Sequence, residues 1–374
     1  MNHAVGTRFP ASLSNPTCQM PLAVTPNSRP RFRRPAAAAS PTESRLARRC
    51  GFVFAACSTA LWASGASAAE AREELRPFPA AEVEPLPRQE YSFRIGGREV
   101  ARYIAGADAL KPYVYPVIGP CGRTLTRIGH PRDPAGHDHH LSLWIGHADV
   151  CGVDFWSSSP KAGRIRHDRA SRLEDGATGR LEVRSRWVLP DGSVALHDER
   201  AWTLVPLEGE VGPSGISEYF LDLELWLRPA RETAVLGKTP FGLLGARVAK
   251  TMGVADGGGR ITDSEGRADE REIFWKRARW CDYSGQAAPG VVNGITLFDH
   301  PENPGHPAVW HVRDDGWMGP SVSHSGPIEI GRDRPLRLRY RFWIHEGPCD
   351  PKAADARWSA WVRGDGAGGG DRAR

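Results

Sequence analysis

The chain of 374 residues carries 49 Lys and Arg against 44 Asp and Glu, a formal net charge of +5. Residues 1–68 alone hold eight Arg and one acidic residue, a net charge of +7, so the rest of the chain stands at −2. The excess of basic residues therefore lies in the N-terminal segment, and it gives no support for a nucleic-acid partner. No apolar stretch after residue 68 is long enough to cross a bilayer as a helix.

The N-terminal segment has the pattern of an export signal. The pair Arg48-Arg49 precedes an apolar run from Cys50 to Trp62, and Ala66-Ser67-Ala68 supplies small residues for cleavage. Residues 1–44 are rich in Pro, Ala, Ser and Arg and cannot bury enough apolar surface to offset their ordering entropy. We expect residues 1–68 to be a disordered leader plus signal peptide and the mature protein to be periplasmic or secreted. The arginine pair also allows a twin-arginine route.

Residues 69–90 are charged and Pro-rich, and predict a linker or a first edge segment. Beyond them apolar and polar side chains alternate with period two, which predicts strands with one buried face. The clearest alternating or apolar runs are 181–189, 194–204 (after a turn at Pro190-Asp191-Gly192), 219–227, 292–298 and 336–344.

Helical signals are scarce in this sequence. Asp350 can cap a helix that begins at Pro351 and continues through Ala353 to Val362. Residues 364–374 are a Gly, Asp and Arg tail that predicts disorder. Residues 91–363 therefore predict a single all-β domain, a large antiparallel β-sandwich with few helices.

The densest polar cluster runs from His137 to His147 and holds four histidines. Imidazole is the side chain best matched to proton transfer near neutral pH. In an extended chain, His137 and His139 point to one face and His140 to the other. Three interpretations stay open: proton transfer or ligand hydrogen bonding, a metal bound by His137 and His139 with a carboxylate from elsewhere, and a purely structural hydrogen-bonded cluster.

A second cluster follows the strand predicted at 292–298. It brings Asp299 and His300 to a strand end, then a Pro- and Gly-rich loop with His306, then Trp310 and His311. The alternative is a turn with surface histidines, which we favour for His306.

Several residues between the two clusters suit a polar ligand. Glu265 lies in a turn-like segment and is equally a general base or a solvated turn residue. Arg247 and Lys276 suit a polyhydroxylated or anionic ligand, and the 13 Trp include indoles on which sugar rings stack. Trp187 and Trp202 occupy alternating strand positions and are expected in the core.

Four cysteines follow the leader, with no C-x-x-C spacing, so a cysteine-based zinc site is not expected. Any disulfide pairing among them is left open by the sequence; they are Cys121, Cys151, Cys281 and Cys349.

Four segments together resemble a bacterial family labelled "methane oxygenase PmoA", over about residues 95–347: Tyr113–Pro120, His139–His147, Gly152–Trp156 and Phe298–Arg313. The resemblance implies a galactose-mutarotase-like supersandwich that binds sugars. It does not imply methane oxidation, because the membrane methane monooxygenase subunit is a bundle of membrane helices.

Mutarotases use two histidines and a late carboxylate, one group protonating the ring oxygen while another deprotonates the anomeric hydroxyl. The resemblance implies His140 or His147 and His300 or His311 for the histidine roles, and Glu265 or Glu346 for the carboxylate. His139 is a further catalytic candidate. The candidate ligand-binding residues are Trp144, Arg247, Lys276, Asp299, Trp310 and Arg313.

The leading hypothesis is an exported carbohydrate-active enzyme that performs acid–base chemistry on a sugar, as an epimerase, lyase or hydrolase. Two rivals remain: a non-catalytic glycan-binding module, and a metal-dependent enzyme that uses His137 and His139. No cofactor is expected unless that metal is present, and the expected partner is a carbohydrate or a similar polar small molecule. The sequence leaves the oligomeric state open.

Overall fold

The computed structural model describes residues 78–129, 137–209, 211–212 and 214–364. These residues belong to one compact unit that spans Glu73–Arg374. The predicted leader at 1–68 and the tail residues 365–374 lie outside the described residues.

Strands account for most of the regular structure. The first eleven are β1 (Ala81–Leu86), β2 (Glu90–Ile95), β3 (Arg98–Ile104), β4 (Tyr113–Val117), β5 (Leu143–Gly146), β6 (Arg164–Glu174), β7 (Gly179–Val188), β8 (Val194–Pro206), β9 (Tyr219–Pro229), β10 (Thr233–Leu236) and β11 (Leu243–Arg247). After a 3₁₀ turn at Lys250–Met252 come α1 (Val254–Gly257), β12 (Arg260–Asp263), α2 (Asp269–Ile273), β13 (Arg277–Ala278), β14 (Trp280–Ala288), β15 (Val291–Asp299), β16 (Ala308–Arg313), β17 (Trp317–Pro320), β18 (Ile328–Gly331), β19 (Leu336–Glu346) and α3 (Pro351–Arg363).

The strands form two large antiparallel sheets. The nine-stranded sheet has the order β1-β2-β3-β4-β5-β11-β17-β16-β13, and the eight-stranded sheet has the order β12-β14-β15-β19-β9-β8-β7-β6. The runs predicted from period-two alternation are β7, β8, β9 and β19, which are consecutive neighbours in the eight-stranded sheet. The apolar run at 292–298 is β15, the next strand of the same sheet.

The hydrophobic core lies between the two sheets. Leu181, Leu221 and Phe342 fill it from the eight-stranded sheet, and Val114 and Leu143 fill it from the nine-stranded sheet. This arrangement follows from alternation, because successive side chains of a strand point to opposite faces. The predicted fold class, an all-β antiparallel sandwich with few helices, is confirmed.

One buried tyrosine ties the sheets together. Tyr219 on β9 donates from its phenol oxygen toward the backbone oxygens of Val100 and Ile118, at 3.0 and 2.9 Å. Trp187 and Trp202, expected in the core, are buried there.

The segment predicted as a linker or first edge segment contains β1, which is the edge strand of the nine-stranded sheet. At the other end, α3 begins where the cap predicts, because the Asp350 side chain accepts a hydrogen bond from the Lys352 backbone N–H at 3.0 Å. α3 covers the outer face of the eight-stranded sheet, where Trp361 packs near Phe298. Among the helices of the described residues, none has the length and apolar character needed to cross a membrane.

Candidate functional site

The outer face of the nine-stranded sheet carries a cluster of aromatic side chains. Leu143 of β5 and Met318 of β17 point into the core, so their neighbours Trp144 and Trp317 point to the outer face. We call the group on this face the aromatic cluster; its members are Trp144, Trp156, Phe241, Trp317, His140 and His311.

One glycine makes room for this cluster. Gly245 on β11 lies directly opposite Trp144 on β5. A Cβ at Gly245 would lie 2.6 Å from Cζ2 of the Trp144 indole, closer than any side chain tolerates. The absent side chain lets the indole lie over the sheet.

His140 stacks on two indoles of the cluster. Its ring lies 5.0 Å from the Trp144 centroid at an interplanar angle of 25°, and 6.2 Å from the Trp317 centroid at 28°. Its Nδ1 is buried without a hydrogen-bond partner. Burial, then the neighbouring His139 and Arg247, holds the pKa of His140 far below its usual range. His140 is therefore neutral at pH 7.

His311 reaches the same cluster from β16. Its ring meets Trp317 edge to face at 4.3 Å and Phe274 at 4.8 Å. Its Nδ1 lies 3.3 Å from the carbonyl oxygen of Pro240. Because a carbonyl oxygen only accepts, Nδ1 carries the proton of the neutral ring and Nε2 keeps its lone pair. Burial and then Arg313 lower the pKa of His311 to about 4, so the free Nε2 is a base at neutral pH.

The predicted extended arrangement of the first histidine cluster is wrong. The chain turns at His137–His140, where the His140 backbone N–H donates to the His137 carbonyl at 3.1 Å. The ring of His140 consequently lies 4.8 Å from that of His137 and 4.5 Å from that of His139. Because the chain turns here and is not extended, the three rings lie close together. Within the described ranges, no group of three or more His, Cys, Asp or Glu has a metal-binding arrangement.

His147 lies beside the cluster with both ring nitrogens already bonded. Nε2 is 2.9 Å from the Ser323 hydroxyl, and Nδ1 is 2.9 Å from the Asp149 carbonyl. Its side chain is fully buried, which lowers its pKa to about 4. These contacts attach the end of β5 to the loop that contains Ser323.

Two buried arginines flank the cluster; Arg127 and Arg247 are called the arginine pair below. Arg247 on β11 lies opposite Trp317 on β17. Its Nη1 and Nη2 donate to the Asp315 carboxylate at 2.7 and 3.1 Å. Arg127 donates from Nη2 to the Asp315 backbone oxygen at 2.6 Å. Burial and the charge of Arg247 lower the pKa of Arg127.

Unpartnered donors concentrate on this face. Thirteen buried side-chain nitrogen or oxygen atoms of the described residues have no hydrogen-bond partner. Six of them belong to the arginine pair, His140, Trp144 and Trp317. Buried polar atoms are normally satisfied, so this concentration marks a place that suits a ligand rich in acceptor atoms.

The edge of the face is charged. Arg313 on β16 pairs with Glu270 of α2, and its guanidinium lies 4.6 Å from the Phe274 ring centroid. Lys111 is buried next to Trp156 and donates to the Phe155 and Trp156 carbonyl oxygens. Burial lowers the pKa of Lys111 to about 7. The face thus contains a lysine that changes charge near neutral pH.

A cleft of about 720 Å³ lies beside the cluster. Tyr113 and Leu141, which pack against the cluster, form part of its wall together with Asp138. Ile104 and Leu110 line it as well. Its volume falls in the range of small-molecule sites.

The second histidine cluster belongs to a different part of the molecule. His300 contacts Trp361 of α3 edge to face at 4.9 Å, and its Nε2 lies 2.9 Å from Arg339 Nη1. Asp299 accepts from His306 Nδ1 at 2.7 Å and from the Ala308 backbone N–H at 2.9 Å. The structure therefore places His311 and His140 on the same indole, that of Trp317, and places His300 on the α3 side. Contacts of Asp299 and His300 join the end of β15 to α3.

The remaining candidates are not members of the aromatic cluster. Trp310 points into the core, where its indole N–H donates to the Ala278 carbonyl at 2.9 Å, because it alternates with His311 along β16. Glu265 is exposed in the turn after β12 and accepts from Ser264. Lys276 is exposed, as is Glu346 at the end of β19.

Cysteine pairing is settled for the described residues. Cys121, Cys151, Cys281 and Cys349 are all free thiols.

The sequence analysis did not identify most of the side chains that surround His140 and His311 on the outer face of the nine-stranded sheet. Trp156, Phe241, Arg127 and Lys111 come from separate loops and strands, and no local spacing links them. A signal for Trp317 did exist: the Asp-Gly turn after β16 favours a hairpin. Such a hairpin places Trp317 next to the β16 residues that were already candidates.

Comparisons with known proteins give a family and distant structural neighbours. The fold is similar to that of galactose 1-epimerase from Lactobacillus acidophilus NCFM, at 6% sequence identity, a coverage of 72% of this chain and 100% of that chain, and a TM-score of 0.32. No curated protein matches the sequence. The methane oxygenase label suggested by the sequence motifs finds no support. The match over residues 90–359 shows that the chain belongs to the family of unknown function DUF6807.

Proposed function

We propose that this protein binds a carbohydrate at the aromatic cluster and moves protons on it through His140 and His311. The observation that carries the proposal is that two neutral imidazoles from distant parts of the chain both contact the indole of Trp317. A neutral imidazole has a lone pair that accepts a proton, and epimerisation, elimination and hydrolysis of sugars all require proton transfer.

The surroundings of the two imidazoles support a sugar as the ligand. Sugar rings have apolar C–H faces that pack on indoles, and hydroxyl oxygens that accept hydrogen bonds. The indole nitrogens of Trp144 and Trp317 and the Nδ1 atom of His140 are donors or acceptors without protein partners. The cleft lined by Tyr113 and Leu141 offers room beside them.

The two histidines have different expected roles. Nε2 of His311 keeps its lone pair because Nδ1 faces the Pro240 carbonyl, so we assign it as the base. His140 is fixed between Trp144 and Trp317 and presents its unpartnered Nδ1, so we assign it to hydrogen bonding with the sugar oxygen that takes back the proton from His311.

The test combines binding with turnover. The purified protein is screened by thermal shift against a panel of mono- and oligosaccharides, and NMR then follows each ligand for anomer exchange, epimerisation or bond cleavage. We expect His311→Asn to bind the ligand within about threefold of wild type and to lose at least 100-fold in turnover, the range typical of a general base. His197→Asn, at an exposed position on β8, is the matched control and should match wild type.

Two outcomes contradict the proposal. If wild type binds a sugar that it never converts, and His140→Ala weakens binding only modestly, the protein is a glycan-binding module. If no sugar in the panel binds, the assignment of a carbohydrate ligand is wrong.

We further propose that the protein acts after export. The support is the sequence of the leader, in which Arg48-Arg49, the apolar run that follows and Ala66-Ser67-Ala68 make a signal peptide. N-terminal sequencing of the protein from cell fractions tests this. Cleavage after Ala68 in the exported fraction, blocked by Ala66→Asp, is the expected result, and an uncleaved protein in the cytoplasm would contradict it.

A further inference from the structure

We infer that the ligand of this site is a sugar acid, whose anionic group binds the arginine pair while its ring lies at the aromatic cluster. The inference deepens the proposed function and depends on it for the sugar. The anionic part is supported independently, by the charges and hydrogen bonds of Arg127, Arg247 and Asp315.

The hydrogen bonds of the arginine pair are incomplete. Arg127 is only 7% exposed, and its Nε and Nη1 have no acceptor. Its one bond, from Nη2, goes to a backbone oxygen of Asp315 and not to a carboxylate. Arg247 is fully buried, and its Nε is also without an acceptor. Three guanidinium N–H groups are therefore available on this face.

Among the residues that the structure describes, the charges of the pair are unbalanced as well. Both guanidinium groups bond to Asp315, whose carboxylate is bonded to Arg247. Two other acidic groups near this face pair with cations of their own, because Asp256 pairs with Lys250 and Glu270 pairs with Arg313. A water molecule can satisfy an N–H group, but it cannot cancel a buried positive charge, which is costly without a counter-charge.

The position of the pair favours an acid group attached to a larger ligand. Arg247 is the cross-strand partner of Trp317, which also contacts His140 and His311. The free donors are thus continuous with the aromatic cluster. Guanidinium binds carboxylate strongly through charge-assisted hydrogen bonds. A sugar that carries a carboxylate satisfies both parts of the face in one molecule.

The test compares acidic and neutral sugars of the same shape. Calorimetry measures the affinities of D-glucuronate, D-galacturonate and their trimers against D-glucose, D-galactose and their trimers. We expect the acids to bind at least tenfold more tightly, with an advantage that shrinks as salt rises. Arg127→Gln should weaken the binding of the acids more than that of the neutral sugars and so remove that advantage. Arg184→Gln, at an exposed arginine of β7, is the matched control.

A second measurement does not need a ligand. If the Arg127 charge is uncompensated, Arg127→Met should melt at or above the temperature of wild type in the absence of sugar. A clear fall in the melting temperature would mean that Arg127 is satisfied within the protein, and would overturn the inference.

The outcomes separate the inference from the proposed function. If neutral sugars bind as tightly as the acids and Arg127→Gln changes neither, the sugar-acid inference is wrong and the carbohydrate proposal stands. If acetate or sulfate binds as tightly as the uronates, the arginine pair recognises a simple anion and the sugar-acid inference is again wrong. If no sugar of either kind binds, both proposals are wrong.

Discussion

His311 meets the indole of Trp317 edge to face, with ring centroids 4.3 Å apart. The contact joins neighbouring strands β16 and β17, and a ring from a distant turn, that of His140, stacks on the same indole. One tryptophan thus fixes the relative positions of the two imidazoles to which we assign proton transfer.

The first prediction concerns pH. His311 has a folded-state pKa of about 4 and an unfolded value near 6.5, so the unfolded chain binds more protons between those values. Stability therefore falls as pH drops through this window, by about 1 kcal/mol per pH unit for this one histidine. Urea unfolding at pH 5, 6 and 7 should show a shallower dependence of the unfolding free energy on pH for His311→Gln than for wild type.

Other histidines also contribute to the dependence of the unfolding free energy on pH. Burial lowers the pKa of His147 and His300 to about 4, so both add to the loss of stability at low pH. His345 beside Asp282 has a raised pKa, so its contribution is present at low pH and is lost as pH rises through the folded value. An unchanged slope in His311→Gln would contradict the assignment of a neutral, buried His311.

The second prediction concerns a buried ion pair in the core. Arg200 donates to both carboxylate oxygens of Asp198, at 3.0 and 2.7 Å, and both side chains are almost fully buried. Arg200→Met leaves Asp198 charged without its partner and should cost about 3–5 kcal/mol of unfolding free energy. Arg184→Met, which breaks the exposed pair with Glu199, should cost about 0–1 kcal/mol. Equal losses in the two variants would be inconsistent with this account.

The third prediction concerns the glycine beneath Trp144. A methyl group at Gly245 would overlap the indole, so Gly245→Ala should cost about 1–3 kcal/mol and shift the tryptophan fluorescence. It should also weaken ligand binding, because the indole moves. Gly326→Ala is the control, since a Cβ there has no atom within 4 Å. Wild-type fluorescence and affinity in Gly245→Ala would show that the cluster tolerates displacement.

The fourth prediction separates the two histidine clusters. His300 contacts Arg339 and Trp361 on the α3 side, so His300→Asn should lower the melting temperature without changing ligand affinity or turnover. His311→Asn should show the reverse pattern, a large loss of turnover with a small change in melting temperature. A loss of turnover in His300→Asn comparable to that in His311→Asn would place the site elsewhere.

Local patterns in the sequence were sufficient for the sheet framework. Alternation at 181–189, 194–204, 219–227 and 336–344 predicts four strands, because a half-buried strand needs one apolar face whatever its neighbours are. The helix start at Asp350 and Pro351 is equally local, since a cap acts within one turn. Candidate site residues could also be identified, because histidine and tryptophan are concentrated near residues 137–147 and 298–313.

Only the tertiary structure decided which of these residues meet. Strand order places β5, β11, β17 and β16 side by side, and alternation along β16 then sends His311 to the outer face and Trp310 to the core. The pairing of Arg127 with Asp315 depends on a contact between segments far apart in the chain. The alternation of apolar and polar residues shows that a strand has two different faces. The packing of the second sheet determines which face is buried and which is free to hold a ligand.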